Sequence, residues 1–521
     1  MKTRWGVFFS VLSCLGLPGA TAWSQGEGIS EDAAALVAGN NRFGLDLYRQ
    51  LADGAEGNVF ISPWSISTAF AMTWAGARGD TAAEMAETLQ FPFDQPTTHP
   101  LFGELIETLD GLQEEGFIAL RTANAIWPAE GFAILPEYAS ILESDYHAHA
   151  ESLDYRFDTE GSRQQINSWV SDQTEERIPE LLPQGSVSPD TAIVLTNAVY
   201  FKGAWQTLFD PDETREDVFY ADNGSEIDID MMWMKEDLPF YSDEEAVVVT
   251  LPYHGLQMEA VLISPIDGDI TALEAGLTPE KLAFWMKSRF ETEVIVGLPR
   301  FSLRFKEELS AFLKVLGMQI PFTALADFSG IFGRPDLFIS KVIHETFLQV
   351  KEEGTEAAAA TGIVVEVTSG NPNPFFYGNR PFLFLIRDKV TGSLLFFGRV
   401  ARPEPLEADP AGPDPEVVKS FFGEQATLTD GWWENTGIGR FQTGGWPWLR
   451  HDTLGWLYLD TATADPDTGF WLYAFHLGWL HTAADRFPDL WRESDQWLRY
   501  GVGTADPCWF YRYLDGEWIA R

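Results

Sequence analysis

The side chains that commonly perform chemistry are present in this chain, but they do not form a recognisable catalytic pattern. The sequence contains no G-x-S-x-G elbow, no H-E-x-x-H zinc motif and no Gly-rich phosphate loop. The eight histidines are scattered, and none lies at metal-ligand spacing from another. Aspartate and glutamate are too abundant for any one pair to stand out as acid and base. The sequence therefore gives no reason to expect an enzyme, a metal site or a cofactor.

The most informative stretch is a run of small and acidic residues that ends before a β-prone segment. Its ten residues are Glu352, Glu353, Gly354, Thr355, Glu356, Ala357, Ala358, Ala359, Ala360 and Thr361. Alone, this composition is as compatible with a surface helix as with a strand. Residues 363–368 are strongly β-prone, however, and 369–374 is a chain-breaking run. We therefore interpret the run as a loop that can later join a sheet, since small side chains let a new strand enter between existing neighbours.

This run resembles the hinge of the serpins, whose motif is E-[EK]-G-T-E-A-A-x-A-[TS]. Other stretches resemble further serpin motifs and follow the family's order along the chain. They are Asn58–Ile66, Ile166–Val170, Leu195–Trp205, Met231–Met232, Leu251–Tyr253, Leu298–Phe301, Ala326–Gly330, His344–Glu345, Asn379–Phe382 and Phe397–Val400. The resemblance therefore extends from about residue 30 to residue 403.

The resemblance implies the serpin fold, in which three β-sheets with surrounding helices carry an exposed reactive-centre loop. The residue pattern independently favours an α+β class, because helices and strands do not alternate regularly. Apolar spacing predicts a helix over residues 32–51, and a second, buried helix over 65–74. The strand-like runs are residues 192–201, 246–251, 293–296, 382–387 and 394–400.

The resemblance also implies suicide inhibition of a serine protease. The target protease would cleave the loop as a substrate, and the cleaved loop would insert into the central sheet while still bound as an acyl-enzyme. Small residues throughout the hinge favour this inhibitory type, and Glu356 can point outward from the new strand. The alternative is a non-inhibitory serpin that acts as a carrier or as a cell-envelope binding protein.

Two groups of polar residues match positions that control opening of the sheet in the family. The shutter residues are Ser62, Ser65, Asn197 and His344. The breach residues, where the loop first enters, are Arg300, Glu352 and Trp205. His344 by itself can be read as a satisfied core histidine, a reading that does not exclude the shutter role. Arg300 replaces the usual lysine, and we expect its pair with Glu352 to survive because arginine keeps the charge.

The family's spacing places the reactive bond at Thr368–Ser369, with Val367–Thr368 and Glu366–Val367 as neighbouring alternatives. The residues Val367 and Thr368 favour a protease with a small or medium apolar pocket, so we expect an elastase-like or subtilisin-like target. No lysine or arginine lies between Glu352 and Asn379, which disfavours trypsin-like enzymes. A glutamate-specific protease that cuts after Glu366 is a weaker candidate.

Residues 1–22 are typical of a secretory signal peptide. Lys2 and Arg4 precede a short apolar run, and Ala20 to Ala22 form a small-x-small cleavage site. Lipid attachment at Cys14, giving a lipoprotein, is a less favoured alternative. Both predict a secreted or extracytoplasmic protein, with the cell surface or periplasm as possible destinations. Cleavage would leave Cys508 as the single cysteine, and thus no internal disulfide.

Composition divides the rest of the chain into three parts. Residues 23–403 are the serpin-like domain, and 404–418 form an acidic, proline-rich linker without regular structure. Residues 419–521 hold eleven of the 20 tryptophans and two imperfect internal repeats, which predicts a module of β-hairpin repeats. These tryptophans are either the core of a small β domain or a stacking surface for a cell-wall or glycan ligand.

The charge balance is strongly acidic, with 78 acidic against 35 basic residues and a formal net charge of −43. Such a chain repels phosphate backbones, so no nucleic-acid partner is expected. No cluster of lysine and arginine suits a heparin-like polyanion. We expect a monomer whose acidity serves solubility.

Overall fold

The structure, a computed structural model, describes residues 29–112, 118–131, 134–191, 193–335, 337–355 and 374–406, residues 415–422, and the strands named below between 426 and 520 with a few adjoining residues. Its helices are α1 (Glu31–Ala52), α2 (Pro63–Ala75), α3 (Gly79–Thr88), α4 (Gln95–Gly111), α5 (Pro136–Tyr146), α6 (Thr159–Gln173), α7 (Ile270–Gly276), α8 (Pro279–Ser288), α9 (Ser310–Val315), α10 (Ser329–Phe332) and α11 (Pro415–Phe422). Among these helices, none is long and apolar enough to cross a membrane.

The two helices predicted near the start of the chain are confirmed. Helix α1 begins after Ser30, whose hydroxyl oxygen accepts a hydrogen bond from the Ala33 amide, and its apolar stripe is buried. Helix α2 begins after Ser62 with Pro63 in its first turn, and every one of its residues is buried. Because the whole of α2 is buried, its capping residue can also make hydrogen bonds to other elements inside the core.

A seven-stranded sheet forms the centre of the domain. Its strands are β2 (Ile118–Pro128), β3 (His149–Ala150), β4 (Ile193–Ala204), β10 (Phe301–Glu308), β11 (Ile343–Lys351), β12 (Gly354–Thr355) and β16 (Glu404–Pro405). They follow the order β16-β10-β11-β12-β4-β2-β3, and β11 also pairs directly with β4. One face of this sheet packs on α2, and the other contacts α6 and the residues that follow it.

The other two sheets of the domain are joined through one long strand. Their strands are β1 (Val59–Ile61), β5 (Arg215–Tyr220), β6 (Glu226–Ser242), β7 (Ala246–Pro252), β8 (Met258–Pro265), β9 (Phe290–Pro299), β13 (Phe375–Tyr377), β14 (Phe382–Asp388) and β15 (Leu394–Val400). Strand β6 pairs with β5 and β9 along most of its length and with β7 only at its end. The domain is therefore α+β with three sheets, two of which share β6.

The C-terminal region forms a separate antiparallel sheet of eleven described strands, each paired with the next in sequence. They are β17 (Thr427–Thr429), β18 (Trp432–Asn435), β19 (Gly439–Gln442), β20 (Trp448–His451), β21 (Gly455–Leu459), β22 (Phe470–Ala474), β23 (Gly478–Thr482), β24 (Asp489–Arg492), β25 (Gln496–Tyr500), β26 (Trp509–Arg512) and β27 (Glu517–Ala520). The rings of His451 in β20 and Tyr500 in β25 lie 5.7 Å apart, so the sheet curls upon itself. Its buried leucines and phenylalanines enclose Val418 and Phe422 of α11.

The expected linker differs from the structure at both ends. Glu404 and Pro405 pair with β10 as an edge strand, where a proline is tolerated because one side of the strand makes no ladder bonds. At the other end, Pro415 opens α11, because the first turn of a helix does not need its N–H. Proline content alone therefore overstated the length of the irregular segment.

Candidate functional site: the seam of the central sheet

The boundary between β4 and β11, here called the seam, is closed at one end and open at the other. In the closed part, residues 344–347 of β11 pair in parallel with residues 197–200 of β4. In the open part, Gly354 and Thr355 of β12 lie between the two strands and pair antiparallel with both. Two residues of the predicted hinge therefore already form a strand within the seam.

The turn between β11 and β12 is held by the predicted breach residues. The Glu352 carboxylate lies 3.6 Å from the Arg300 Nε and accepts a hydrogen bond of 2.8 Å from the Thr214 hydroxyl. The Glu352 carbonyl accepts a hydrogen bond from the Phe209 amide. Glu352 is buried, so these contacts provide the partners that a charge needs away from water.

Trp205 fixes the same turn from the end of β4. Its indole N–H donates to the Lys351 carbonyl at 3.1 Å, and its amide donates to the Glu353 carbonyl at 3.0 Å. The indole stacks on the Tyr253 ring with centroids 4.7 Å apart. The Tyr253 and Thr355 hydroxyls are hydrogen-bonded at 2.6 Å, and Thr355 is completely buried. Burial raises the pKa of Tyr253, so its hydroxyl stays protonated and neutral.

Glycine is required where the hinge first enters the seam. A Cβ on Gly354 would lie 2.1 Å from the Gly203 carbonyl oxygen, and a Cβ on Gly203 would lie 2.9 Å from the rings of Phe201 and Tyr253. Gly354 pairs with Ala204, next to Gly203, and the absence of its Cβ lets β12 approach β4 closely at this end.

The predicted shutter residues meet beneath the closed part of the seam. Ser62 caps α2 by accepting from the Ser65 amide, and its hydroxyl donates to the Leu395 carbonyl at 2.6 Å. The Asn197 side-chain amide donates to the Ser65 carbonyl at 2.7 Å. Its carbonyl oxygen lies 2.7 Å from His344 Nδ1. The four residues therefore connect α2 to both strands of the seam.

His344 is the one titratable group in this arrangement, and its contacts define its tautomer. The Ser62 amide donates to Nε2 at 3.1 Å, so Nε2 carries no proton and Nδ1 donates to Asn197. Burial lowers the pKa of His344 to about 3, because the charged ring would lose its hydration. The histidine is thus neutral near pH 7 and joins the two strands by a single directed hydrogen bond.

Sequence reasoning missed several residues that complete the site. Asn124 of β2 accepts a hydrogen bond from Asn197 at 2.9 Å, and Thr346 of β11 donates to the Phe60 carbonyl at 2.7 Å. Thr214 holds Glu352 as described above. Tyr253 was part of the motif Leu251–Tyr253, but nothing in the sequence marked Asn124 or Thr214.

Two of the site features predicted from the sequence lie outside the described residues. They are the hinge from Glu356 to Thr361 and the reactive bond Thr368–Ser369. The signal peptide with Cys14 also lies outside them. These assignments remain predictions from the sequence.

Comparison with known proteins agrees with this geometry. The chain matches the family model described as serpin (serine protease inhibitor) over residues 38–403. It is 39% identical over 378 residues to the leukocyte elastase inhibitor of Bos taurus, an alignment that covers 71% of this chain and 99% of that relative. It is 36% identical over 372 residues to an uncharacterized serpin-like protein of Thermococcus kodakarensis, with 71% and 86% covered.

Solved structures agree as well. The structure of mouse protein-Z dependent protease inhibitor has a TM-score of 0.64 at 27% identity and covers 71% of this chain and 98% of its own. Human thyroxine-binding globulin, solved in complex with thyroine, has a TM-score of 0.64 at 28% identity, with 72% of this chain and 100% of that chain covered. The chain therefore belongs to the serpin family. It is homologous to inhibitory serpins such as leukocyte elastase inhibitor, and the family comprises inhibitors of serine proteases rather than enzymes.

Proposed function

We propose that this serpin is a secreted inhibitor that traps a serine protease by inserting its cleaved loop into the seam. The observation that carries the proposal is the position of Gly354 and Thr355, which pair with β11 and β4 at once. A loop whose first residues already occupy the sheet needs only to continue in the same direction. The continuation is antiparallel to both neighbours, which is how a loop returning from the end of β11 must run.

The register of β12 predicts the neighbours of every later hinge residue. Thr355 is opposite Gly203 and Val350, so continued pairing brings Thr361 opposite Asn197 and His344. These two residues now pair with each other. Insertion of the complete hinge would therefore separate the shutter residues, and their hydrogen bond resists insertion until the loop is cut.

The covalent step uses the protease's own serine. Its oxygen attacks the Thr368 carbonyl carbon, the bond to the Ser369 nitrogen breaks, and the serine proton ends on the departing amine. An ester then joins Thr368 to the protease. Insertion of residues 356–368 as a strand carries the attached protease along the sheet with Thr368 before water hydrolyses the ester.

The nature of the residues near the cut supports an elastase-like or subtilisin-like target. Val367 and Thr368 suit a small or medium apolar pocket. The homologue in Bos taurus is named for inhibition of leukocyte elastase. Export is supported by the signal-like residues 1–22.

The test is to incubate the purified protein with pancreatic elastase and with subtilisin, followed by denaturing gels and mass spectrometry. We expect a complex that survives SDS and a released C-terminal fragment that begins at Ser369. The variant Thr355→Arg should instead be cleaved without forming the complex, because it would bury an unpaired charge at a cost of several kcal/mol. Thr323→Arg, at an exposed threonine, is the matched control. Clean cleavage of the wild type by a broad protease panel, without complex, would contradict the proposal.

A second candidate is a carrier or cell-envelope binding protein that recognises its ligand through the C-terminal sheet. It is favoured by a row of rings across β22 to β25, formed by Trp471, His481, Trp491 and Trp497, which are successive cross-strand partners. Trp491 and Trp497 are 36% and 38% exposed, with ring centroids 5.6 Å apart. Exposed indole faces of this kind suit stacking on sugar rings. Glycan binding by the C-terminal sheet is compatible with protease inhibition, since a tail that binds glycans would hold the inhibitor near a cell.

A further inference from the structure

The segment that follows α6, residues 174–182, crosses the outer face of the seam. On one side, its residues Ile178, Leu181 and Leu182 are buried in the same apolar cluster as Ala198 and Tyr200 of β4. These contacts attach the segment to the β4 side through burial of apolar side chains, the dominant favourable contribution to packing.

On the other side, two cations of β10 hold the backbone of the same segment. Arg304 donates to the Arg177 carbonyl at 2.8 Å, and Lys306 donates to the Glu180 carbonyl at 2.6 Å. Both cations also pair with Glu345 of β11, at 2.7 Å and 2.9 Å. Glu345 is 3% exposed, so the two cations supply the compensation that its buried charge requires.

Aromatic contact strengthens the same attachment. The Phe347 ring of β11 has the Arg304 guanidinium 5.1 Å from its centroid and the Arg177 guanidinium at 6.0 Å. Phe347 belongs to the apolar cluster that contains Ile178 and Tyr200. The segment is thus fixed to the strands on both sides of the seam.

Entry of a strand must disturb this attachment. A strand between β4 and β11 moves them apart by about 4.8 Å, the spacing of neighbouring strands. A hydrogen bond of normal length does not survive such a displacement. Either the two cations release the carbonyls of Arg177 and Glu180, or the segment leaves β4.

We propose that Arg304 and Lys306, oriented by Glu345, form a clasp that restrains the seam and sets the rate at which a strand enters it. The inference rests on the proposed function, because it assumes that the loop inserts. In the register of β12, Ala360 would arrive opposite Glu345, one residue before the shutter. The clasp therefore acts on the closed part of the seam, where β11 and β4 still pair directly.

The experiment uses the full chain and a fluorescein-labelled synthetic peptide of residues 355–368, whose incorporation is followed by anisotropy. We expect the double variant Arg304→Ala/Lys306→Ala to take up the peptide at least tenfold faster than the wild type. Arg304→Lys should fall between them, because lysine keeps the charge beside Glu345 but loses the fork that reaches Arg177 as well. Lys235→Ala, which removes a similar ion pair with Glu293 in another sheet, should leave the rate unchanged.

A second control tests whether faster peptide uptake could result from a general loss of stability rather than from loss of the clasp. Ile263→Val removes a buried methyl group from β8, a strand of another sheet, and should lower the thermal midpoint without changing the rate. Equal rates for the wild type and the double variant would overturn the clasp while leaving loop insertion intact. If neither protein takes up the peptide under any condition, the proposed function fails together with the clasp. Uptake by the variant alone supports both.

Discussion

Single residues at the seam make the hydrogen bonds that hold its closed part together. His344 accepts from Ser62 and donates to Asn197, which is possible only for the neutral ring. A proton on Nε2 would oppose the Ser62 amide and would place a charge in the core. The shutter is therefore expected to weaken in acid.

We predict that the native state loses stability as the pH falls from about 6.5 towards 3. The folded pKa of His344 lies near 3, below the value of about 6.5 in the unfolded chain. The folded state thus binds fewer protons, and its stability declines by up to about 1.4 kcal/mol per pH unit in this window.

Denaturant unfolding of wild type and His344→Gln at several pH values measures the difference. The variant should be less stable at pH 7.5 but less sensitive to acid, and an identical slope would contradict this account. His147→Gln, at an exposed histidine, is the matched control for the loss of a histidine side chain.

A second residue-scale prediction concerns Glu356, the one charged side chain among the small hinge residues from Thr355 to Thr361. If the pairing of β12 with β4 continues on insertion, Glu356 would arrive opposite Lys202, which is half-buried on β4. Opposite charges across strands contribute about 0.2–1 kcal/mol, and like charges oppose pairing. Glu356→Lys should therefore increase the fraction of inhibitor that is cleaved without trapping by a few fold. The swap Glu356→Lys/Lys202→Glu should restore trapping, as counted from gel bands, and failure of the swap would show that the register is different.

At the scale of elements, the hinge depends on close approach between β12 and β4. Gly354→Val should keep the first hinge residues out of the seam, because its Cβ would overlap the Gly203 carbonyl. We expect a lower thermal midpoint, by the equivalent of about 1–3 kcal/mol, and a larger share of plain cleavage. Gly111→Val is the matched control, because a Cβ at Gly111 meets no atom within 4 Å. It should leave the share of plain cleavage unchanged. An unchanged share of cleavage for Gly354→Val would argue against entry at this point.

Elements with a regular apolar pattern could be predicted from the sequence, and the pairing between them could not. The periodic stripe of α1 and the β-prone runs of β14 and β15 appear where the sequence predicts them, because short-range pattern determines them. Strand β12 has two residues and no pattern of its own, and its close approach to β4 depends on Gly354, where a Cβ would overlap the Gly203 carbonyl. Likewise Asn124 and Thr214 join the site through contacts distant in sequence. The resemblance located the shutter and breach, but only the fold shows which atoms meet.

At the scale of the molecule, the chain has two separate hydrophobic cores, and we expect each of the two parts to have its own function. The serpin domain and the C-terminal sheet bury separate apolar clusters. Strand β16 belongs to the serpin domain, since Glu404 and Pro405 pair with β10. A truncation that tests the tail should therefore keep residue 406 rather than end at 403.

We predict that a chain ending at residue 406 still forms the SDS-stable complex but no longer binds insoluble peptidoglycan or chitin. In the full chain, Trp491→Ala/Trp497→Ala should lower binding in a sedimentation assay by roughly thirtyfold, because stacking on each ring contributes on the order of 1 kcal/mol and about 1.4 kcal/mol corresponds to a factor of ten. Arg440→Ala, at an exposed position on β19, should have no effect. Retention that is unaffected by the truncation would exclude the tail as a glycan-binding module.

The most direct test of the central claim, that the seam accepts the cleaved loop as a strand, is the thermal unfolding of the intact and the loop-cleaved protein. The loop is cut between residues 356 and 374 by a protease that is then removed. Insertion would add a strand with hydrogen bonds on both sides, so we predict a midpoint well above that of the intact chain. A midpoint that stays the same or falls after complete cleavage would contradict loop insertion, and the carrier function would then be the better account of this serpin.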